Sequence, residues 1–196
     1  MATEVINDAL FYQSYEIIGG EKFMAPAANL DHGDIIGRIH FCFVKYFLEH
    51  KNGYAYVDNT NVRLNDEDMF IPDVSVVLKN REQILAGRKL ICGAPDMVVE
   101  VLSRSTHKRD LTIKKDVYEA SGVREYWIVD PRAKSVTVYL LRDGKYFLDE
   151  EYMLPDEKDL ELMTDADRAA VKQEVPVKIL DGLIIRLDYI FKWGYK

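Results

Sequence analysis

Cysteine is nearly absent: Cys42 and Cys92 are the only two among 196 residues. With no CxxC pair, neither a zinc site nor a disulfide framework is indicated. Cys42 falls in an apolar helical pattern and reads as a small core residue. Long apolar runs are also missing, and no stretch approaches the roughly 20 residues a helix needs to cross a bilayer. The N-terminal MATEVINDAL lacks a basic region followed by an apolar run, so no signal peptide is expected and a cytoplasmic location is. No zinc-finger pattern or recognition helix is visible, so readout of base sequence is not expected. Core-forming residues, by contrast, are plentiful. Hydrophobic residues make up 48% of the chain, with 12 Tyr and 8 Phe. That excludes disorder as the default state and supports one domain, 1–196, with a real core.

Positive charge is in deficit, with a net of −7, which by itself argues against a nucleic-acid partner. The distribution changes that reading. Residues 149–174 hold ten acids and three bases, which leaves 23 of each elsewhere. This segment reads as an acidic surface insertion. Residues 104–115, RSTHKRDLTIKK, carry five Lys or Arg against one acid. Such a strip is either a solvated face or a track for a polyanion.

Periodicity predicts strands at 10–18, 54–57, 61–64, 70–78, 95–103 and 125–131. It predicts helices over 32–48, 80–87 and 110–121, the last ended by Gly122, and a further one at 165–173. Asn29 or Asp31 can cap the first helix. Hairpins are expected over 135–148 around Asp143-Gly144 and over 177–187 around Asp181-Gly182. A turn of helix is expected after the second hairpin. The class is α+β, with a central sheet carrying helices.

One acid stands out. In PDMVVEVLS (95–103), alternation sets Asp96, Val98, Glu100 and Leu102 on one face of an apolar strand. Moving an ionised carboxylate into such a setting costs on the order of several kcal/mol. Glu100 therefore needs a metal ion, a basic side chain or a proton. A buried salt bridge meets that need as well as a metal does. Asp73, in IPDVSVV, is in a similar setting, although alone it reads as a turn acid after proline. If the two strands pair, both carboxylates can reach one cation of the hard, oxygen-preferring kind, such as Mg²⁺. On a wheel of roughly 100° per residue, Lys114 joins the stripe of Leu111, Ile113, Val117, Tyr118 and Ser121. Lys115, Asp116 and Glu119 face solvent. A stem lying on apolar surface with its amine in water is the alternative for Lys114, but an inward amine suits two inward carboxylates.

The stretches YEIIGGEKFMAP, DHGDIIGRI, IPDVSVV, APDMVVEVLSRST, DLTIKKDVYEASGVREYWIVDP and LDGLIIRLDYIF, in this order, resemble the Uma-type restriction endonuclease family of the PD-(D/E)XK nuclease superfamily. The resemblance covers almost the whole chain. It implies a restriction-endonuclease-like core, a mixed sheet flanked by helices with extra N- and C-terminal β-hairpins. It also implies an Mg²⁺- or Mn²⁺-dependent nuclease cutting DNA, with Asp73 as motif aspartate and Glu100 as motif acid. The superfamily's lysine would fall at position 102, which is Leu. In the family resembled it has moved to the following helix, which maps it to Lys114.

On this reading Asp73, Glu100 and the Val101 carbonyl hold the ion, and Lys114 assists the attacking water or stabilises charge on phosphate. Glu21 resembles the family's N-terminal acid and could approach the metal, but it reads first as a surface acid. His32 begins the first helix, where the dipole disfavours its charged form; it can act as a neutral acceptor near the site, with a plain capping-region histidine as the blander reading. Tyr118 can position the lysine or be plain core. Arg104, Lys108 and Arg109 in the basic strip would contact DNA phosphates. A homodimer would bring two sites to two strands. The rival expectations are an inert module that keeps the fold, and a phosphoesterase with another substrate.

Overall fold

The computed structural model describes residues 15–24, 30–57, 59–103 and 110–192. Two β-hairpins are decided by left-handed turns. Gly19 and Gly20 both have positive φ, which suits the tight link between β1 (Tyr15–Ile18) and β2 (Glu21–Met24). Asp143 and Gly144 do the same between β10 (Ser135–Arg142) and β11 (Lys145–Met153). The long helix α1, Leu30–His50, buries Ile35, Ile36, Ile39, Phe43, Tyr46 and Phe47 on one stripe. Each such side chain is worth about 1.5–3 kcal/mol when fully buried. Next comes β3 (Gly53–Val57). A Cβ on Gly53 would lie 2.5 Å from the Phe47 ring, so glycine is what lets helix and strand approach here.

The expected strand 70–78 is two strands in two sheets. Met69–Phe70 (β5) joins a five-stranded sheet ordered β2-β1-β5-β4-β7, where β4 is Val62–Arg63 and β7 is Ile91–Cys92. Val74–Leu78 (β6) joins the six-stranded sheet β11-β10-β9-β8-β6-β3, where β8 is Met97–Val101 and β9 is Glu125–Asp130. Pro72 between them cannot donate to a ladder, and the N–H of Ile71 is taken by Glu16 Oε1 at 3.1 Å. The larger sheet is mixed: β6 and β8 are antiparallel, β8 and β9 parallel.

The parallel pair is linked through the helical segment 110–121. It opens as a π-helical turn, Asp110–Lys114, and continues as α2, Lys115–Ser121, ended by Gly122 at φ 90°. The wider turn explains why Ile113, expected on the inward stripe, is exposed. Lys115, expected in solvent, is half-buried with its ammonium 3.9 Å from the Tyr139 ring centroid.

Between β11 and the last strands lie two short helices in the acidic segment. These are α3 (Glu157–Leu162), capped by Asp156, and α4 (Asp165–Ala170), capped by Thr164. Only the second was expected. The final hairpin pairs Glu174–Pro176 (β12) with Ile184–Arg186 (β13), three residues outside the expected register. Asp181, unlike Asp143, lacks a positive φ, so no tight two-residue turn forms there. The loop is held instead by Glu125, whose Oε2 accepts from Ile179 N at 2.8 Å. Leu187–Phe191 (α5) follows.

One face of the large sheet packs on α1, α5 and the last hairpin, through Val74, Val76, Met97, Val99 and Val101. The other face packs on α2 and the small sheet, through Val98, Leu102, Tyr118, Tyr126, Ile18 and Phe70. Glu100 points to this second face, between Val98 and Leu102. Among the described residues, no helix is long and apolar enough to cross a membrane.

Candidate active site

The register of β6 and β8 pairs Val74 with Val99. One step further sets Asp73 across from Glu100, at the point where the two sheets part. Five elements meet there: β1, the N-terminus of α1, the start of β6, the end of β8, and the π-to-α junction at Lys114.

Glu100 is 2% exposed and Lys114 is 3% exposed. Lys114 Nζ lies 3.1 Å from Glu100 Oε1 and 2.8 Å from Glu16 Oε1. Tyr118 donates its hydroxyl to the same Glu100 oxygen at 2.7 Å. Lys114 and Tyr118 reach one carboxylate because residues four apart share a helix face. Burial, and then the Glu100 charge, push the Tyr118 phenol well above its ordinary range, so Tyr118 is a donor and not a base. Two carboxylates around one amine offset the desolvation that would make any of the three costly alone.

Asp73 and Val101 form an adjoining group. Val101 N donates to Asp73 Oδ2 at 2.6 Å. His32 Nε2 lies 2.9 Å from the Val101 carbonyl and 3.4 Å from Asp73 Oδ2. The peptide between Glu100 and Val101 joins the two groups.

Glu16 was not among the expected residues. Its signal was the one that picked out Glu100: in YEII, alternation puts the acid on the face of the buried Ile18. Glu21 is exposed on β2, as a surface acid, because the tight turn after Ile18 carries the chain away from the cluster. Glu16 is the β1 acid that contacts Lys114. It also anchors Ile71, two residues before Asp73, and so ties the lysine cluster to the Asp73 turn. Arg104, Lys108, Arg109 and the rest of 104–109, half of the basic strip, lie outside the described residues. Of the strip's remainder, Lys114 belongs to the buried cluster and not to a surface track.

Asp73 and the Val101 carbonyl are hard oxygen donors close together, with Glu100 next in the chain, a set that suits a divalent cation. Among the described residues no three His, Cys, Asp or Glu side chains converge on one point, so a main-chain donor is needed to complete such a set. A groove of about 800 Å³ lies elsewhere, between α1 and the C-terminal hairpin, lined by Arg38, Phe41, Lys45, Ile184, Arg186 and Lys192. None of Glu16, His32, Asp73, Glu100, Val101, Lys114 and Tyr118 lines it.

A family model described as "Putative restriction endonuclease", Uma2, matches residues 12–172. The chain belongs to the Uma2 family. Membership places it in a family described as nucleases, hence as hydrolases. A search of curated proteins finds no match. Among solved structures, the chain is similar to one titled a "putative nuclease belonging to DUF820" from Anabaena variabilis ATCC 29413. The identity is 19%, the TM-score is 0.70, and the match covers 92% of this chain and 91% of that one. That likeness bears on the fold, which is restriction-endonuclease-like. Glu16, Asp73, Glu100, Lys114 and Tyr118 all fall within the Uma2 match, as does His32.

Proposed function

We propose that this Uma2 protein is a divalent-metal-dependent endonuclease that hydrolyses DNA phosphodiester bonds at the Asp73–Glu100–Lys114 site. The observation that carries the reading is the buried Lys114 amine held between Glu16 and Glu100. A core has little reason to hold an ammonium and two carboxylates where apolar side chains of the same volume would be at least as stable. A hydrolytic site does have a reason, since it needs a charge placed before the reaction begins.

Asp73, Glu100 and the Val101 carbonyl would hold the Mg²⁺ or Mn²⁺, which when bound would supply Lewis-acid polarisation of a phosphoryl oxygen and an acidified water. The chain's residues do the rest. Lys114 directs a proton of its ammonium to the attacking water or to the charge growing on phosphate. Glu16 and Glu100 keep that amine in place. Tyr118 fixes the Glu100 carboxylate through Oε1, so the acid cannot rotate away. The basic residues of 104–115, Arg104, Lys108 and Arg109 among them, track the DNA backbone, with affinity falling as salt rises. Cutting both strands favours two sites related by a two-fold axis, so the proposal includes a homodimer, to be checked by light scattering.

The test is incubation of purified protein with plasmid, linear and single-stranded DNA, with Mn²⁺, with Mg²⁺ and with EDTA. It is repeated with Asp73→Ala, Glu100→Ala and Lys114→Ala. Metal-dependent cutting lost in all three variants is the expected result. Cutting that survives all three, or no cutting together with no metal binding by calorimetry, overturns the proposal.

A further inference from the structure

His32 is hydrogen-bonded to the Val101 carbonyl and stands beside Asp73. Its Nε2 lies 2.9 Å from the Val101 carbonyl oxygen and 3.4 Å from Asp73 Oδ2. The ring is held there by α1, whose next buried residues, Ile35 and Ile36, are packed into the core beneath the sheet. Its side chain is 13% exposed, so the imidazole is not a surface group that drifted inward.

The two distances have a specific meaning. Adjacent donors on an octahedral ion with bonds of about 2.1 Å stand about 3.0 Å apart. The two separations from Nε2 bracket that value. Hence Nε2 stands from both the Val101 oxygen and Asp73 Oδ2 at about the spacing of neighbouring ligands around a small divalent cation. The helix, the strand end and the post-proline turn supply one donor each.

We infer that His32 is a protein ligand of the metal ion, and that its nitrogen makes the site prefer Mn²⁺ over Mg²⁺. This rests on the metal-dependent reading above and goes beyond it by assigning a ligand and a selectivity. Mg²⁺ favours an all-oxygen shell and keeps several waters. An imidazole nitrogen suits Zn²⁺, Fe²⁺ and Ni²⁺ best; Mn²⁺ shares the oxygen preference of Mg²⁺ but, as a transition ion, accepts a nitrogen more readily. In its hydrogen bond to Val101 the ring carries its proton on Nε2, because a carbonyl only accepts. Ligation uses the other neutral tautomer, with the proton moved to the buried Nδ1 and the Nε2 lone pair on the ion; the net charge is unchanged, and burying that N–H offsets part of the binding energy. His32 in this role has the position of a ligand and no part in proton transfer.

The test uses the full chain and Mn²⁺ itself as probe. Pulsed EPR of the Mn²⁺ complex should show coupling to a ¹⁴N nucleus, which no oxygen ligand gives. In His32→Gln, whose side-chain amide can still donate to the Val101 carbonyl, that coupling should vanish. Calorimetry should show Mn²⁺ affinity falling about tenfold or more in that variant, with Mg²⁺ affinity changed by much less. Circular dichroism checks that the variant is folded. If Asp73→Asn abolishes Mn²⁺ binding while the wild type shows no nitrogen coupling, His32 is not a ligand and the metal-dependent reading stands. If the wild type binds no Mn²⁺ at all, both fall.

Discussion

Strand β8 carries a buried acid at each end, and they do different work. Asp96, just before the strand, is fully buried. Its Oδ1 takes Arg81 at 3.0 Å and Arg124 at 2.5 Å, and its Oδ2 takes the N–H of Leu78 at 2.7 Å. Both arginines keep contact with water, at 32% and 48% side-chain exposure, and Arg81 also donates to the Ala94 carbonyl. Asp96 is a staple: it fastens β6, the loop before β8 and the start of β9 at the rim. Glu100, four residues on, is bound to an amine that is itself buried, shared with a second carboxylate, and one peptide away from Asp73 and His32. Burial and pairing are common to both acids, so neither identifies a site. What separates them is where the cation comes from and what lies beside the pair.

The largest effect should come from taking the cation out of the second cluster. Lys114→Ala leaves Glu16 and Glu100 facing each other in the core, at a cost of about 3–5 kcal/mol, read by urea unfolding. Per folded molecule, metal-dependent cleavage should drop at least about 10²-fold. A variant of wild-type stability would mean that Glu100 depends on its cation no more than Asp96 does. Asp96→Ala should also destabilise, but by about 1–3 kcal/mol, since its arginines can return to water. Cleavage and Mn²⁺ affinity per folded molecule should be unchanged, and a loss of metal binding there would move Asp96 into the site. Tyr118→Phe removes one of the Glu100 hydrogen bonds and should cost about 1–1.5 kcal/mol, with a correspondingly modest loss of cleavage.

The smallest effect concerns a third buried acid, Glu125 on the neighbouring strand. It accepts from Trp127 Nε1 and Ile179 N, and among the described residues it has no ion-pair partner. Burial pushes its carboxyl above its ordinary 4.5, against the lowering by its hydrogen bonds. The folded chain then holds this proton to a higher pH than the unfolded chain does. The resulting stability is fully present below pH 4.5 and fades as pH rises through the raised value. Glu125→Gln should remove that decline. The stability–pH curves of wild type and variant should diverge by no more than about 1.4 kcal/mol per pH unit. Parallel curves would mean that Glu125 titrates normally, and that an acid without a cation is as settled as the two that have one.

Much of the fold was legible because it rests on local periodicity. The α1 stripe, the apolar β8 and β9, the stop at Gly122 and the Asp143-Gly144 hairpin all follow from residue spacing and turn chemistry. The pairing of β6 with β8, which brings Asp73 to Glu100, was also within reach. What misled was local too. Residues 70–78 look like one strand, but Pro72 and the capture of Ile71 by Glu16 divide them between two sheets. The sequence Asp181-Gly182 looks like Asp143-Gly144, yet a buried glutamate from β9 holds its loop open.

From the sequence alone came the class of the chain, the acid that does not belong in an apolar strand, and the helix position of the amine that answers it. All three are periodic signals within single elements. It took the packing of separate elements to bring Glu16, and not Glu21, to Lys114, and His32 to Val101 and Asp73. Those contacts join residues far apart in the chain, and their geometry depends on how two sheets and a helix pack, which no spacing along the sequence encodes.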